Sequence, residues 1–556
     1  MNDKVKITCL NVNLSKEYPL GISVRDIAED MNIDTGYPIL GARVNNKLEE
    51  LSYKVYNPKF IEFIDITDID GFRMYQRSLS FVLMKAVRDL FPQGKLKIEH
   101  SISKGFYCEL QKRPELSPED VLKIAERMRQ IIKSDLPFKR DQIPTSEAIE
   151  KFLENELVEK ARLFKTRSTL FTSVYCLDNQ IDYFYGYLVP STGYLQTFDL
   201  IPYYDGMLLR FPTRENPEEL GAVVEQHKLF EIFQEYKDWS EILKISTIGS
   251  INEAVQQGRT GEIIKVSEAL HEKKVAEIAD KINKKSTVKL VLIAGPSSSG
   301  KTTFSKRLAI QLKVLGINSF PISTDNFFVD RERTPKDENG DYDFESLYAL
   351  DLDVFNKTMN SLIAGKPTKI PYFDFKEGKM YFKDDEEPVK LGKDDVLIVE
   401  GIHGLNPKLT EHIDDKFKFK IYVSALTTLG IDYHNRIPTT DNRLIRRMVR
   451  DYQYRGYSPV ETLKRWPSVR RGENKNIFPY QEEADVMFNS ALLYELGVLK
   501  KYVEPLLKKV PETEHVYSEA KRLLKFLSYF VDSDNEDEIP PTSIIREFLS
   551  GSSFHY

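Results

Sequence analysis

Apolar residues alternate with polar ones at the start of the chain: Val5, Ile7 and Cys9 are separated by Lys6 and Thr8, which predicts a half-buried strand. The period then changes. Val24, Ile27, Ala28 and Met31 share one helical face, and Ser23 with Asp26 has capping-box spacing at its start. Ile39 to Val44 and Leu48 to Val55 bracket Asn45-Asn46, a pair suited to a tight hairpin turn. From residue 67 onward helical spacing dominates. Leu79, Val82, Leu83, Ala86, Val87 and Leu90 form one stripe; Val121, Ile124, Met128 and Ile131 form another behind Ser117-Pro118. A connecting helix carries Val275, Ile278, Ala279 and Ile282 on one face. After it, apolar runs such as Val288 to Ile293 and Val396 to Val399 alternate with longer helical stretches, which predicts a parallel α/β sheet.

The patterning divides the chain into four segments: 1–66, 67–240, a connector over 241–285, and 286–556. With 556 residues, several cores are expected. A formal net charge of -6 argues against a general nucleic-acid binder held by overall charge. Three distant cysteines, Cys9, Cys108 and Cys176, give neither a disulfide framework nor a zinc spacing. The N-terminus has no signal-peptide core and no membrane-length apolar run occurs, so a cytoplasmic protein is expected. The acidic run 532–538 reads as a solvated loop or linker.

The chemistry concentrates where the strand ending at Ile293 enters a glycine-bounded loop. Gly295, Pro296, Ser297, Ser298, Ser299, Gly300, Lys301, Thr302 and Thr303 fit G-x-x-x-x-G-K-[ST] with its following helix. In that pattern backbone N–H groups wrap phosphates, the lysine reaches the outer phosphates and the Thr302 hydroxyl can ligate Mg²⁺. ATP and Mg²⁺ are the implied cofactors. Asp325 closes an extended run at Ser319 to Ser323, and Glu400 ends the run at Val396 to Val399; both are expected at carboxyl ends of sheet strands. Arg443, Arg446, Arg447 and Arg450 crowd one helical face, which costs stability unless an anion or carboxylates answer them.

Several stretches resemble known families. YPLGISVRDIAEDM and GARVNNKLEEL make residues 1–66 resemble the TGS domain, a ubiquitin-like β-grasp module. SLSFVLMKAVRDLFP, GFYCEL and VPSTGYLQTFDL make 67–240 resemble the second additional, editing domain of threonyl-tRNA synthetase. The editing residues are missing: the paired histidine slots fall at Arg77 and Phe81, and the later Cys and His slots at Phe184 and Leu188. A non-catalytic scaffold or sensing role is expected there.

FPISTDNFFVDRERTP, DDVLIVEGIHGL, NGDYDFESLYALD, KIPYFDFKEGKM and DNRLIRRMVRDYQYRG, added to the phosphate loop, resemble the uridine kinase and phosphoribulokinase family over about 287–510. The resemblance implies Asp325 as base for the acceptor hydroxyl and Thr302 and Glu400 around Mg²⁺. It further implies Arg446, Arg447 and Arg450 as lid arginines on the nucleotide, and Asp343, Phe328, Tyr372, Phe373 and Arg455 on the acceptor side. Departures from the family pattern concentrate at the acceptor: Phe328 and Phe373 replace tyrosines, Glu345 replaces a proline and Gly378 a histidine.

The expectation is therefore a multidomain α/β and α+β protein that phosphorylates a nucleoside 5′-hydroxyl. A kinase for a phosphosugar or pantothenate-like acceptor and a nucleotide-switched, RNA-binding regulator are the alternatives, with residual tRNA deacylation a lesser one. RNA is thus left open as a partner of the N-terminal half, and the sequence fixes no oligomeric state, a homo-oligomer included.

Overall fold

The computed structural model describes residues 4–336, 340 and 342–555. Its first sheet has the order Leu14–Pro19, Lys4–Cys9, Lys59–Ile64, Gly41–Val44, Lys47–Glu49, with Lys4–Cys9 and Lys59–Ile64 parallel and the other pairs antiparallel. Val5, Ile7 and Cys9 point into its core as the alternation requires. Asn45 and Asn46 both take positive φ (50° and 59°), the backbone of a two-residue turn that matches strand twist. Ser23 accepts from the Asp26 N–H at 3.1 Å, capping the helix Val24–Asp30.

The next part is α+β. A four-stranded antiparallel sheet (Asp199–Tyr203, Gly206–Arg210, Gly105–Gln111, Lys95–Ile102) packs with the helices Ile69–Leu90 and Pro118–Lys133. Ser117 and Asp120 complete the capping box of the second helix. The predicted stripes are buried except Leu90, which lies at the helix end. A second, three-stranded sheet (Phe138–Pro144, Phe171–Leu177, Gln180–Asp182) stands beside it. The four positions corresponding to the lost editing residues do come together: Phe81 and Phe184 lie 5.3 Å apart, Leu188 joins the same core, and Arg77 donates to the Tyr187 carbonyl at 2.9 and 3.0 Å. A guanidinium held on a backbone carbonyl and an apolar ring thus stand at the two positions where the resemblance expects imidazoles.

The C-terminal sheet is entirely parallel, in the order Ser319–Ser323, Val396–Glu400, Leu290–Ala294, Lys418–Ser424, Val486–Asn489. Strand order reverses beside Leu290–Ala294, which opens a crevice at the carboxyl ends. The connector helix Thr260–Lys284 packs on the helix Lys301–Val314 through Val275, Ile278, Ala279 and Ile282. The acidic run is tied down rather than simply solvated: Glu536 accepts from Tyr502 and pairs with Arg546, and Glu538 pairs with Lys265. Among the described residues no helix is long and apolar enough to cross a membrane.

Candidate active site

The strand Leu290–Ala294 is buried along its whole length and delivers the chain to a loop that only small residues can make. A Cβ on Gly295 would lie 1.9 Å from the Val423 carbonyl oxygen, and Gly300 turns the chain at φ +81° into the helix Lys301–Val314. Lys301 Nζ folds back over the loop, donating to the Gly295 and Pro296 carbonyls at 2.9 and 3.1 Å. Burial pulls its pKa below the ordinary lysine value, against the opposing charge of Glu400.

Two neighbouring strands bring carboxylates to the same crevice. Glu400 stands opposite Ile293 in the sheet, and its Oε1 accepts from Thr302 Oγ1 at 3.1 Å. Its Oε2 is buried without a hydrogen-bond partner, and burial pushes the carboxyl up to about 7. An orphaned carboxylate oxygen beside a hydroxyl, both hard donors, fits Mg²⁺. Gly401 is needed here, since a Cβ would meet Thr324 Oγ1 at 1.8 Å. Asp325 sits in a short turn capped by Ser323 and opens to solvent on the cleft side, while protein walls it elsewhere. That partial enclosure raises its pKa; Lys301 and Arg455 pull the other way.

The arginine face of the helix Thr439–Tyr454 is answered by carboxylates. Arg443 is buried in a two-pronged pair with Glu473 and donates to the Ser297 carbonyl at 3.1 Å. Arg446 is fully buried, held by Glu495 and Ser490, with one N–H to the Ser298 carbonyl at 3.4 Å. Both brace the phosphate loop from behind. Arg447 reaches Ser297 Oγ at 2.8 Å and pairs with Asp451; Arg450 and Arg455 also lie on Asp451, each at 3.4 Å. Burial and neighbouring Arg455 lower Arg450 to about 10.

On the acceptor side, Phe328 gathers Phe373, Phe344 and Phe375 at 5.5 to 6.2 Å between ring centroids. Tyr372, one residue from Phe373 on a strand, points away and donates to Glu386 at 2.6 Å. Asp343 accepts the Glu345 N–H at 3.1 Å; residues 339 and 341 of the same stretch lie outside the described residues. His403 is buried, which holds it neutral with a pKa near 4.

Two carboxylates, Glu473 and Glu547, escaped the sequence reading, and a third, Glu345, entered it only as a departure from the family's proline. Glu345 faces the charges of Glu473, Arg447 and Lys301 and is pushed up to about 7, chiefly by burial. Glu473 accepts the Ser297 N–H of the phosphate loop at 3.0 Å. Glu547, in the C-terminal turn Ile544–Glu547, accepts from the Thr303 hydroxyl at 2.8 Å and the Thr303 N–H at 3.3 Å, at the N-terminus of the phosphate-loop helix. No local pattern marks them, because their partners lie tens to hundreds of residues away.

Comparison with known proteins gives two separate likenesses. Residues 290–493 match the sequence profile of the Phosphoribulokinase / Uridine kinase family. Threonine–tRNA ligase of Carboxydothermus hydrogenoformans is 33% identical over 190 residues, 34% of this chain and 30% of the ligase. That of Desulforamulus reducens is 31% identical over 198 residues, 35% of this chain and 31% of the ligase. The chain therefore spans under a third of these curated relatives. A solved structure described as a possible uridine kinase from Bacillus stearothermophilus aligns with 36% of this chain and 89% of its own at 18% identity, TM-score 0.24, too low to carry an argument. The C-terminal half of this protein thus contains a phosphoribulokinase/uridine kinase family domain, joined to an N-terminal third that resembles part of threonine–tRNA ligase.

Proposed function

We propose that the protein transfers the γ-phosphoryl group of MgATP to a hydroxyl of a small molecule, with the 5′-hydroxyl of a nucleoside as the acceptor. The observation that carries this reading is the meeting of Lys301, Thr302, Glu400 and Asp325 at the carboxyl ends of three adjacent parallel strands. Lys301 and the loop N–H groups would hold the β- and γ-phosphates. Thr302 and Glu400 would hold Mg²⁺, which supplies charge neutralisation on the phosphates. Asp325 would take the acceptor proton as the acceptor oxygen bonds to the γ-phosphorus and the β–γ bridging bond breaks, releasing ADP. Arg447 and Arg450, less buried than Arg443 and Arg446, would turn toward the transferring group by leaving Asp451, and Arg455 toward the acceptor. The phenylalanine cluster around Phe328 supports a planar acceptor, because a phosphosugar would call for cations where these rings stand.

The test is ADP formation by full-length protein with MgATP across ribonucleosides, deoxynucleosides, ribulose 5-phosphate and pantothenate. Turnover that depends on a nucleoside is the expected result. ATP binding with no acceptor-dependent turnover would overturn the kinase reading, and turnover confined to ribulose 5-phosphate or pantothenate would overturn the nucleoside assignment.

A further inference from the structure

A second group of cations, unrelated to the phosphate loop, converges between the N-terminal sheet, the α+β part and the C-terminal helix Tyr517–Leu527. Tyr183, Tyr185 and Tyr187 alternate along one segment, and each carries a cation against its ring. Lys525 Nζ lies 6.0 Å from the Tyr183 centroid, Arg77 5.6 Å from that of Tyr185 and Arg140 5.1 Å from that of Tyr187. Arg167 joins them over Tyr529 at 4.5 Å, and the Tyr529 and Tyr183 hydroxyls are bonded to each other.

Carboxylates do not balance this set. Glu50 pairs with Arg140 at 3.5 Å and accepts from Tyr175; Glu49 is engaged by Lys47 and the Tyr187 hydroxyl. Among the described residues no carboxylate pairs with Arg77, Arg167 or Lys525; Arg77 and Arg167 instead donate to the Tyr187 carbonyl and to Ser528 Oγ. The Lys525 pKa is pulled down to about 7, first by the protein walls around it and then by Arg167, Arg140 and Arg77, with only Glu50 opposing. Yet Lys525 and Arg140 remain open to solvent, so a ligand can reach them. Like charges gathered with so little negative charge among them are costly unless a counter-anion joins them.

We infer that this group of cations binds a small, multiply charged phosphoryl anion, of the pyrophosphate or nucleoside-polyphosphate class, at a site separate from the phosphate loop. The guanidinium forks of Arg140 and Arg167 and the ammonium of Lys525 suit several phosphoryl oxygens at once, with the more buried Arg77 adding charge behind them, where a single carboxylate would leave most of the charge unanswered.

The experiment is calorimetric titration of inorganic pyrophosphate into full-length Lys301→Ala protein, in which the phosphate-loop lysine is gone. Binding of one equivalent is expected, weakened about tenfold by adding either Lys525→Gln or Arg140→Gln, the loss expected for one charge-assisted hydrogen bond. At pH 8 binding should draw a proton onto Lys525, so the number of protons taken up, read from the dependence of the heat on buffer ionisation, should be smaller in Lys525→Gln than in the parent, the remainder coming from pyrophosphate itself. Melting midpoints of the unliganded variants should not fall below the parent's, and Lys525→Gln should raise its own by relieving the repulsion, which separates lost binding from lost fold. A parallel titration with ADP distinguishes the sources: equal affinity assigns the site to the phosphoryl group alone, tighter binding to a nucleotide. Absence of pyrophosphate binding to the Lys301→Ala protein, or binding that neither substitution alters, would overturn the inference.

Discussion

Asp325 and Glu400 are both carboxylates at strand ends, but their surroundings give them different work. Asp325 opens onto the cleft, so it can meet an acceptor; Glu400 is enclosed with one oxygen unpartnered, so it can meet a cation. Asp325→Asn should lower kcat ~10²- to 10⁴-fold with little change in KM for ATP, read by steady-state ADP production. Because a base acts only when deprotonated and this pKa is raised, the acid limb of kcat/KM should lie above the ordinary aspartate range near about 4. At Glu400 a proton and Mg²⁺ compete for the same oxygen. With its pKa near 7, the Mg²⁺ concentration for half-maximal rate should climb about fivefold from pH 7 to pH 6, and Glu400→Gln should remove that contribution. Both strand-end positions were legible in the sequence, Glu400 from the apolar run Val396 to Val399 that stops at it and Asp325 from the extended run Ser319 to Ser323 before it. Tyr372 shows the limit: neighbouring strand residues face opposite ways, and only the paired strand Lys379–Tyr381 reveals which of Tyr372 and Phe373 turns toward Phe328.

The helix Thr439–Tyr454 poses the same difficulty for a whole element. Its crowded arginines demand an answering negative charge, and the sequence leaves open whether phosphate or protein provides it. Glu473 and Glu495 answer Arg443 and Arg446, from 30 and 49 residues away, while Asp451 serves Arg447, Arg450 and Arg455. The turn Ile544–Glu547 was less legible still. Ile544 presses toward Gly300, where a Cβ would meet its Cγ2 at 2.5 Å, and Phe548 lies under the Arg446 guanidinium at 5.1 Å. This C-terminal strap sets the Glu547 carboxylate on the helix N-terminus that also attracts phosphate. An anion already there repels the next one. Glu547→Gln should therefore tighten MgATP binding by about three- to thirtyfold, measured by nucleotide titration of the full-length protein. Unchanged affinity would mean that the carboxylate lies outside the path of the phosphates.

At the scale of the whole molecule, the boundaries drawn from sequence divide a core that packing does not divide. One buried cluster runs from Ala148, Phe152 and Phe164 through Ile248, Ile264 and Val275 to Phe304, Ile421 and Leu549. Hydrophobic patterning tells which face of an element is buried, not which distant element covers it, so this continuity is invisible in the chain. A fragment starting near residue 285 would lose apolar partners of the phosphate-loop helix. Across the same junction Lys160 is buried between Asp182 and Asp432, at 2.8 and 2.7 Å, and His434 bonds Asp182 at 2.7 Å. Removing the cation strands two buried carboxylates, so Lys160→Met should cost about 3–5 kcal/mol in denaturant unfolding. Lys16 pairs with Asp30 on the open surface, and Lys16→Ala should change stability by less than about 1 kcal/mol. If the Lys160 network joins the α+β part to the kinase domain, Lys160→Met should also split a single unfolding transition into two, the first reported by the tyrosines of the α+β part. A single, unshifted transition would show that the apolar cluster alone holds the two together.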